Sequence, residues 1–158
     1  MQTHNNTQTR LIYTDGAAPN NQSHCQAGGI GVAVYSDSGE LLETFSQRIE
    51  ATDQAPARVT NVRCEMLAFI KGLELSASND IVHTDNDMVA KGYNEWLEGW
   101  KRKGWKNANK KPVANKDLWL RIDALKQSKP DVQVRWVKGH DGIEGNELAD
   151  TLASEAVS

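Results

Sequence analysis

Residues 62–87, VRCEMLAFIKGLELSASNDIVHTDND, decide the fold, because the period of the apolar positions changes within them. From Val62, apolar residues recur at Met66, Phe69 or Ile70, and Leu73, the spacing of one helical face. Thr60 or Asn61 is placed to cap this helix. Ile81-Val-His-Thr84 then reads as a short buried strand, and the Asp85-Asn-Asp87 cluster behind it can cap a second helix running from Met88 towards Glu98.

Upstream the period is that of strands. Leu11-Ile-Tyr-Thr-Asp15-Gly16 starts apolar and stops at a turn signal, and the polar stretch Pro19 to Gln26 leads into Gly28-Gly-Ile-Gly-Val-Ala-Val-Tyr35. After the tight-turn signal Asp37-Ser-Gly39, Leu41 to Ile49 makes a third strand, so an antiparallel meander opens the fold. Downstream, Leu118, Ile122 and Leu125 mark a helix within 115–126. Pro130 precedes the alternating strand Val132-Gln-Val-Arg-Trp-Val137, and a last helix spans about Glu144 to Val157. Three strands followed by alternating helices and strands predict an α/β fold, one mixed sheet with helices packed on it.

The length of 158 residues suits one domain, read as 10–158 behind a loose polar tail over 1–9. Cys25 and Cys64 have no CxxC spacing, which argues against a disulfide framework or a zinc site and favours a reducing cytoplasm. No stretch approaches the roughly 20 apolar residues of a membrane span. No exposed apolar stripe stands out, so a monomer is expected, and the self-contained start and finish favour a free-standing chain.

Between Trp100 and Lys116, WKRKGWKNANKKPVANK holds seven Lys or Arg and no acid. Against a chain total of -3, that leaves the remainder at about -10. A solvated surface explains a generic basic run. The interleaved Trp100 and Trp105 and the missing acids favour a phosphate backbone, whose condensed counterions are released by each cation placed on it.

Four acids stand out for different reasons. Asp15 and Asp85 each follow directly on an apolar strand, where turn or cap duty is the plain explanation and a ligand site at strand ends the alternative. Glu65 falls on the face of its helix that should be buried, where a carboxylate needs a partner or a metal. Asp150 lies on the flank of the last helix, where a surface acid is the plainer reading. Without a cysteine or histidine cluster, convergent acids would form a hard oxygen site suited to Mg²⁺ or Mn²⁺. Spacing alone does not establish that they converge.

Taken in order, Tyr13-Thr-Asp-Gly16, Thr60-Asn-Val-Arg-Cys-Glu-Met66, Thr84-Asp85, the Trp-rich basic segment, Asp117-Leu-Trp119, and Trp136-Val-Lys-Gly-His140 to Asp150 resemble the type 1 ribonucleases H from Leu11 to Ala156. The resemblance implies a five-stranded mixed sheet with the first and fourth strands adjacent. It implies that Asp15, Glu65, Asp85 and Asp150 bind two metal ions, with Asp15 bridging, for hydrolysis of the RNA strand of an RNA–DNA hybrid to 5′-phosphate and 3′-hydroxyl ends. His140 matches the family's loop histidine beside the scissile phosphate, suited to shuttling a proton or aiding product release. Gly16, Thr60 and Asn61 are carried over for contacts to the hybrid, whose 2′-hydroxyls distinguish RNA from DNA. Trp100, Lys101, Arg102, Lys103, Trp105 and Lys106 are carried over for the backbone.

The chain departs from the family pattern at Val62, commonly asparagine, and at Asp87, commonly glutamine. The loop from Ala17 to Gln26 and Ile143-Glu-Gly145 also differ. None of these removes a metal ligand. At Asp87 two readings stand open: a helix cap, or a fifth negative charge that repels substrate while raising metal affinity. A non-catalytic hybrid-binding module, a transposase-like nuclease and a structural domain are the rival functions. The intact acid set, the basic insertion and the buried-face Glu65 argue against each in turn.

Overall fold

A computed structural model describes residues 9–18, 27–51, 59–139 and 142–158. The expected tail over 1–9 lies, apart from Thr9, outside the described residues, as do the loop over 19–26, Cys25 and His140.

Strands β1 (Leu11–Ala17), β2 (Ala27–Tyr35) and β3 (Leu41–Glu50) form the expected antiparallel meander. Strands β4 (Ile81–Thr84) and β5 (Gln133–Trp136) join in parallel on the other side of β1, giving the five-stranded order β3-β2-β1-β4-β5. β5 is shorter than the alternation in 132–137 predicts, although the Val137 N–H still donates to Thr84 O at 2.9 Å.

Helix α1 (Asn61–Leu75) is capped by Thr60, whose hydroxyl accepts from Arg63 N at 3.1 Å. Its far end is closed by Lys129, whose ammonium donates to Leu73 O, Glu74 O and Ser76 O at 2.7, 2.9 and 2.7 Å. The second predicted helix is longer and less regular than its pattern indicates. It runs as α2 (Asp87–Lys91), a π-helical turn over Gly92–Trp96 and α3 (Leu97–Arg102). At Gly92 a Cβ would stand 2.2 Å from the Trp119 ring, so that aromatic packs directly on the π turn. Helices α4 (Lys116–Ser128) and α5 (Glu144–Glu155) complete the fold. Among the described residues no helix is long and apolar enough to cross a membrane.

Alternation along β1 divides the sheet's two faces. Ile12, Thr14 and Gly16 face α1, where a Cβ on Gly16 would lie 2.5 Å from Glu65 N. Tyr13 and Asp15 face α5, whose Gly145 rests on the Tyr13 ring. On β2, Gly31 admits the α5 backbone so closely that a Cβ would meet Ala149 O at 2.3 Å. Each helix is thereby held against the strand that carries Asp15 or its neighbour. The core between α1, α4 and the sheet is filled by Phe69, Ile70, Leu73, Trp119 and Ile122.

Candidate metal centre and nucleic-acid face

The convergence that spacing left open follows from strand register. Thr14 pairs with Thr84 across the parallel β1–β4 ladder, so Asp15, which lies inside β1 rather than at the turn its sequence suggests, stands beside Asp85, the residue just past β4. Glu65 reaches them from the first turns of α1. One carboxylate oxygen from each of Asp15, Glu65 and Asp85 lies within 4.8 Å of the others. Asp150 joins from α5, which lies over Gly31, the partner of Asp15 in β2. It is half-buried rather than a surface acid and near enough for its charge to raise the Asp15 carboxyl, although it stands outside the group of three whose oxygens lie within 4.8 Å. Gly139, in the segment after β5, crosses the Asp85 carboxylate closely enough that a Cβ would lie 3.1 Å from Oδ2.

Such crowding is electrostatically expensive. Asp15 is almost fully buried, and its carboxyl is pushed far above the usual range by burial, then by the charges of Asp85 and Asp150 and the hydrogen bond with Asp150. Only the Gly16 N–H, donating to Oδ1 at 2.9 Å, acts in the opposite direction. Glu65 is raised to about 7, chiefly by burial and also by Asp85, against a hydrogen bond from Asn86. An all-oxygen donor set whose ionisation is this unfavourable fits a hard divalent cation, which supplies the missing positive charge. Glu65 is half-buried at the edge of this cluster, not sunk in the core as its helical position predicts.

The fully buried charge on α1 is instead Arg63, which sequence reading passed over. Its guanidinium forms a two-point pair with Asp117, at 3.0 and 2.7 Å, and donates to Asn115 Oδ1 at 3.1 Å. That anchors the start of α4 to the helix bearing Glu65. Asn86 was also unremarked as an individual. It caps α2, settling one of the two readings of Asp87, whose carboxylate instead pairs with Lys91 at 3.2 Å.

Of the remaining carried-over positions, Thr60 and Asn61 sit at the start of α1, and Asn61 Oδ1 accepts from Ala18 N at 3.2 Å. Trp100 and Trp105 are both half-buried. Trp100 packs edge-on to Trp119 with ring centres 5.1 Å apart and lies 6.5 Å from Trp105, so the pair first supports the basic loop from beneath. Lys101 is turned onto Asp123 at 3.1 Å and Glu98 at 3.7 Å, whereas Arg102, Lys103 and Lys106 are exposed. Next to them runs a groove of about 590 Å³ lined by Thr60, Val62, Met88, Trp96, Trp100 and Asn115. It joins the start of α1 to the basic segment. Met88 and Trp96 are among the few exposed large apolar residues, a signal that the helical pattern of 88–98 did not reveal.

A mixed sheet with an oxygen-only acid cluster beside its parallel β1–β4 pair, and an aromatic-lined groove next to a basic loop, fits a nuclease whose acids could hold a metal. Comparison with known proteins makes the class specific. A family profile for RNase H matches residues 7–158. A ribonuclease H of Ruthia magnifica subsp. Calyptogena magnifica is 43% identical over 151 residues, covering 93% of this chain and 94% of that protein. Ribonuclease HI of Caulobacter vibrioides is 44% identical over 149 residues, covering 92% and 91%. Among solved structures, the PFV RNase H domain superposes with a TM-score of 0.75 at 27% identity, covering 94% of each chain. LC11-RNase H1, solved in complex with an RNA/DNA hybrid, shares the fold with a TM-score of 0.64 at 22% identity, covering 94% of this chain and 99% of that one. The chain belongs to the ribonuclease H family and is an endoribonuclease.

Proposed function

We propose that this chain hydrolyses the RNA strand of RNA–DNA hybrids internally, with Asp15, Glu65, Asp85 and Asp150 holding two Mg²⁺ or Mn²⁺ ions. The observation that carries this reading is the approach of the Asp15, Glu65 and Asp85 oxygens to within 4.8 Å in a chain of this family. When bound, such ions supply the positive charge that activates a water and stabilises the departing 3′ oxygen.

The chain's own residues do the positioning. Asp15, buried in the cluster and steadied by the Gly16 N–H, would hold the ions together with Glu65, Asp85 and Asp150. Breaking the bond from phosphorus to the 3′ oxygen, with the water's oxygen left on phosphorus, gives 5′-phosphate and 3′-hydroxyl ends. His140, on the segment between β5 and α5 and outside the described residues, is assigned to proton transfer or product release. Asn61 commits Oδ1 to Ala18, so its amide NH₂ is the group able to donate to a 2′-hydroxyl, with Gly16 and Thr60 beside it. Arg102, Lys103 and Lys106 bind the backbone through charge, and Trp100 shapes the groove wall with Trp105 set against it. The enzyme acts as a cytoplasmic monomer.

The test is a labelled RNA–DNA hybrid set against both matching duplexes and both single strands, each with Mg²⁺ and with chelator. Mg²⁺-dependent cleavage confined to the hybrid's RNA strand is expected. Cleavage that survives chelation, or that falls equally on duplex RNA, would overturn the proposal.

A further inference from the structure

We propose that Asn86 is a positioning residue that fixes the Glu65 carboxylate towards the divalent-ion site, an inference that rests on the metal-site reading above. Asn86 ties three elements together. Its N–H donates to Thr84 Oγ1 at the end of β4 at 3.1 Å. Its Oδ1 accepts the Val89 N–H at 3.1 Å, capping α2. Its Nδ2 donates to Glu65 Oε1 of α1 at 2.6 Å. The preceding carbonyl, that of Asp85, accepts the Trp136 indole N–H at 3.2 Å, so the turn is held from the β5 side as well.

Hydrogen-bond chemistry settles which way the amide points. A backbone N–H can only donate, so the atom facing Val89 is the oxygen, and the atom facing Glu65 is the NH₂. Asparagine is then the favoured capping type that performs both tasks. Serine and aspartate cap about as well. Serine has no second polar atom to reach Glu65 while its one oxygen is held at the cap, and aspartate would set another carboxylate against Glu65. The Glu65 side chain has several rotatable bonds and sits among like charges that favour its swinging away. A donor held by β4 and α2 keeps it facing Asp15 and Asp85 before an ion arrives, as hydrogen-bonded outer residues commonly do for carboxylate ligands.

The experiment compares the wild type with Asn86→Ser and Asn86→Gly, both of which leave a usable helix start but take away the amide that donates to Glu65. Mn²⁺ and Mg²⁺ affinity is measured calorimetrically without hybrid, melting temperature in chelator, and kcat and KM at saturating Mg²⁺. Both variants should melt in chelator near the wild type yet bind Mn²⁺ about 10-fold more weakly. The Mg²⁺ needed for half-maximal cleavage should rise in parallel while KM for the hybrid stays put. Wild-type ion affinity in both variants would overturn the proposal even if the metal-site reading stands. A wild type that binds no ion would overturn that reading and this inference with it.

Discussion

Glu65 shows how a single residue carries both the cost and the use of the site. Burial first, and then Asp85, lift its carboxyl from 4.5 to about 7 despite the hydrogen bond from Asn86. A folded-state value above the unfolded one means that ionisation of this group opposes folding: without a cation, its contribution to stability is fully present below about pH 4.5 and is lost as pH rises through about 7. Glu65→Gln removes that cost. In chelator at pH 8 the variant should resist urea better than the wild type by about 1–3 kcal/mol, with the difference vanishing near pH 4. Equal stability at both pH values would contradict the assignment. Asp87 is the opposite case, a charge with little consequence for the site, because Asn86 holds the cap and Lys91 pairs with the carboxylate. Asp87→Gln should leave KM and the Mg²⁺ requirement within about twofold of wild type and cost no more than about 0.5 kcal/mol. A larger shift in the Mg²⁺ requirement would restore it to the site. At this scale Asp15, Glu65 and Asp85 stood out because carboxylates after apolar residues of a strand and on a helix's inner face are conspicuous, whereas Asp150 read as a surface acid and was singled out only by the family resemblance. Arg63 and Asn86 were not, since a charge near a helix start and one asparagine in a capping cluster look ordinary until Asp117 and Glu65 are placed beside them.

The elements were mostly legible from period, and their failures have physical causes. The strands and α1 alternate or repeat strongly because each buries a defined face. The widening over Gly92–Trp96 leaves no periodic trace, since an extra residue in one helical turn shifts the apolar stripe without erasing it. Convergence of the acids was invisible for a deeper reason: it depends on β1 and β4 pairing in parallel with Thr14 opposite Thr84, a long-range register. The closure of α1 by Lys129, contributed from beyond α4, is long-range too. Its three carbonyl acceptors lose their donor together in Lys129→Ala, which should lower stability by about 1–3 kcal/mol in urea denaturation while leaving kcat unchanged. A loss under about 0.5 kcal/mol would mean that water replaces the ammonium readily.

Across the whole molecule, charge is divided: seven cations lie between Trp100 and Lys116 against about -10 elsewhere. The clustered acids belong to the negative part, while the groove runs from the start of α1 to the positive part. The sequence revealed this polarity but not that Lys101 turns inward to Asp123, which removes it from the set facing a substrate. Replacing Arg102, Lys103 and Lys106 by alanine should therefore flatten the log–log salt dependence of hybrid binding by up to about 0.9 for each, with Lys101→Ala adding less. An unchanged slope would return the segment to a solvated surface. The central claim, that clustered acids holding divalent ions cut the RNA strand of a hybrid, is tested most directly by the rate at which Asp15→Asn cleaves a labelled hybrid at saturating Mg²⁺. The amide keeps the size of the side chain and removes its charge, so the account predicts a folded protein with kcat lowered at least about 1,000-fold, equivalent to about 4 kcal/mol of transition-state stabilisation. A folded Asp15→Asn protein that cleaves within about tenfold of the wild-type rate, in the presence of Mg²⁺, would contradict it.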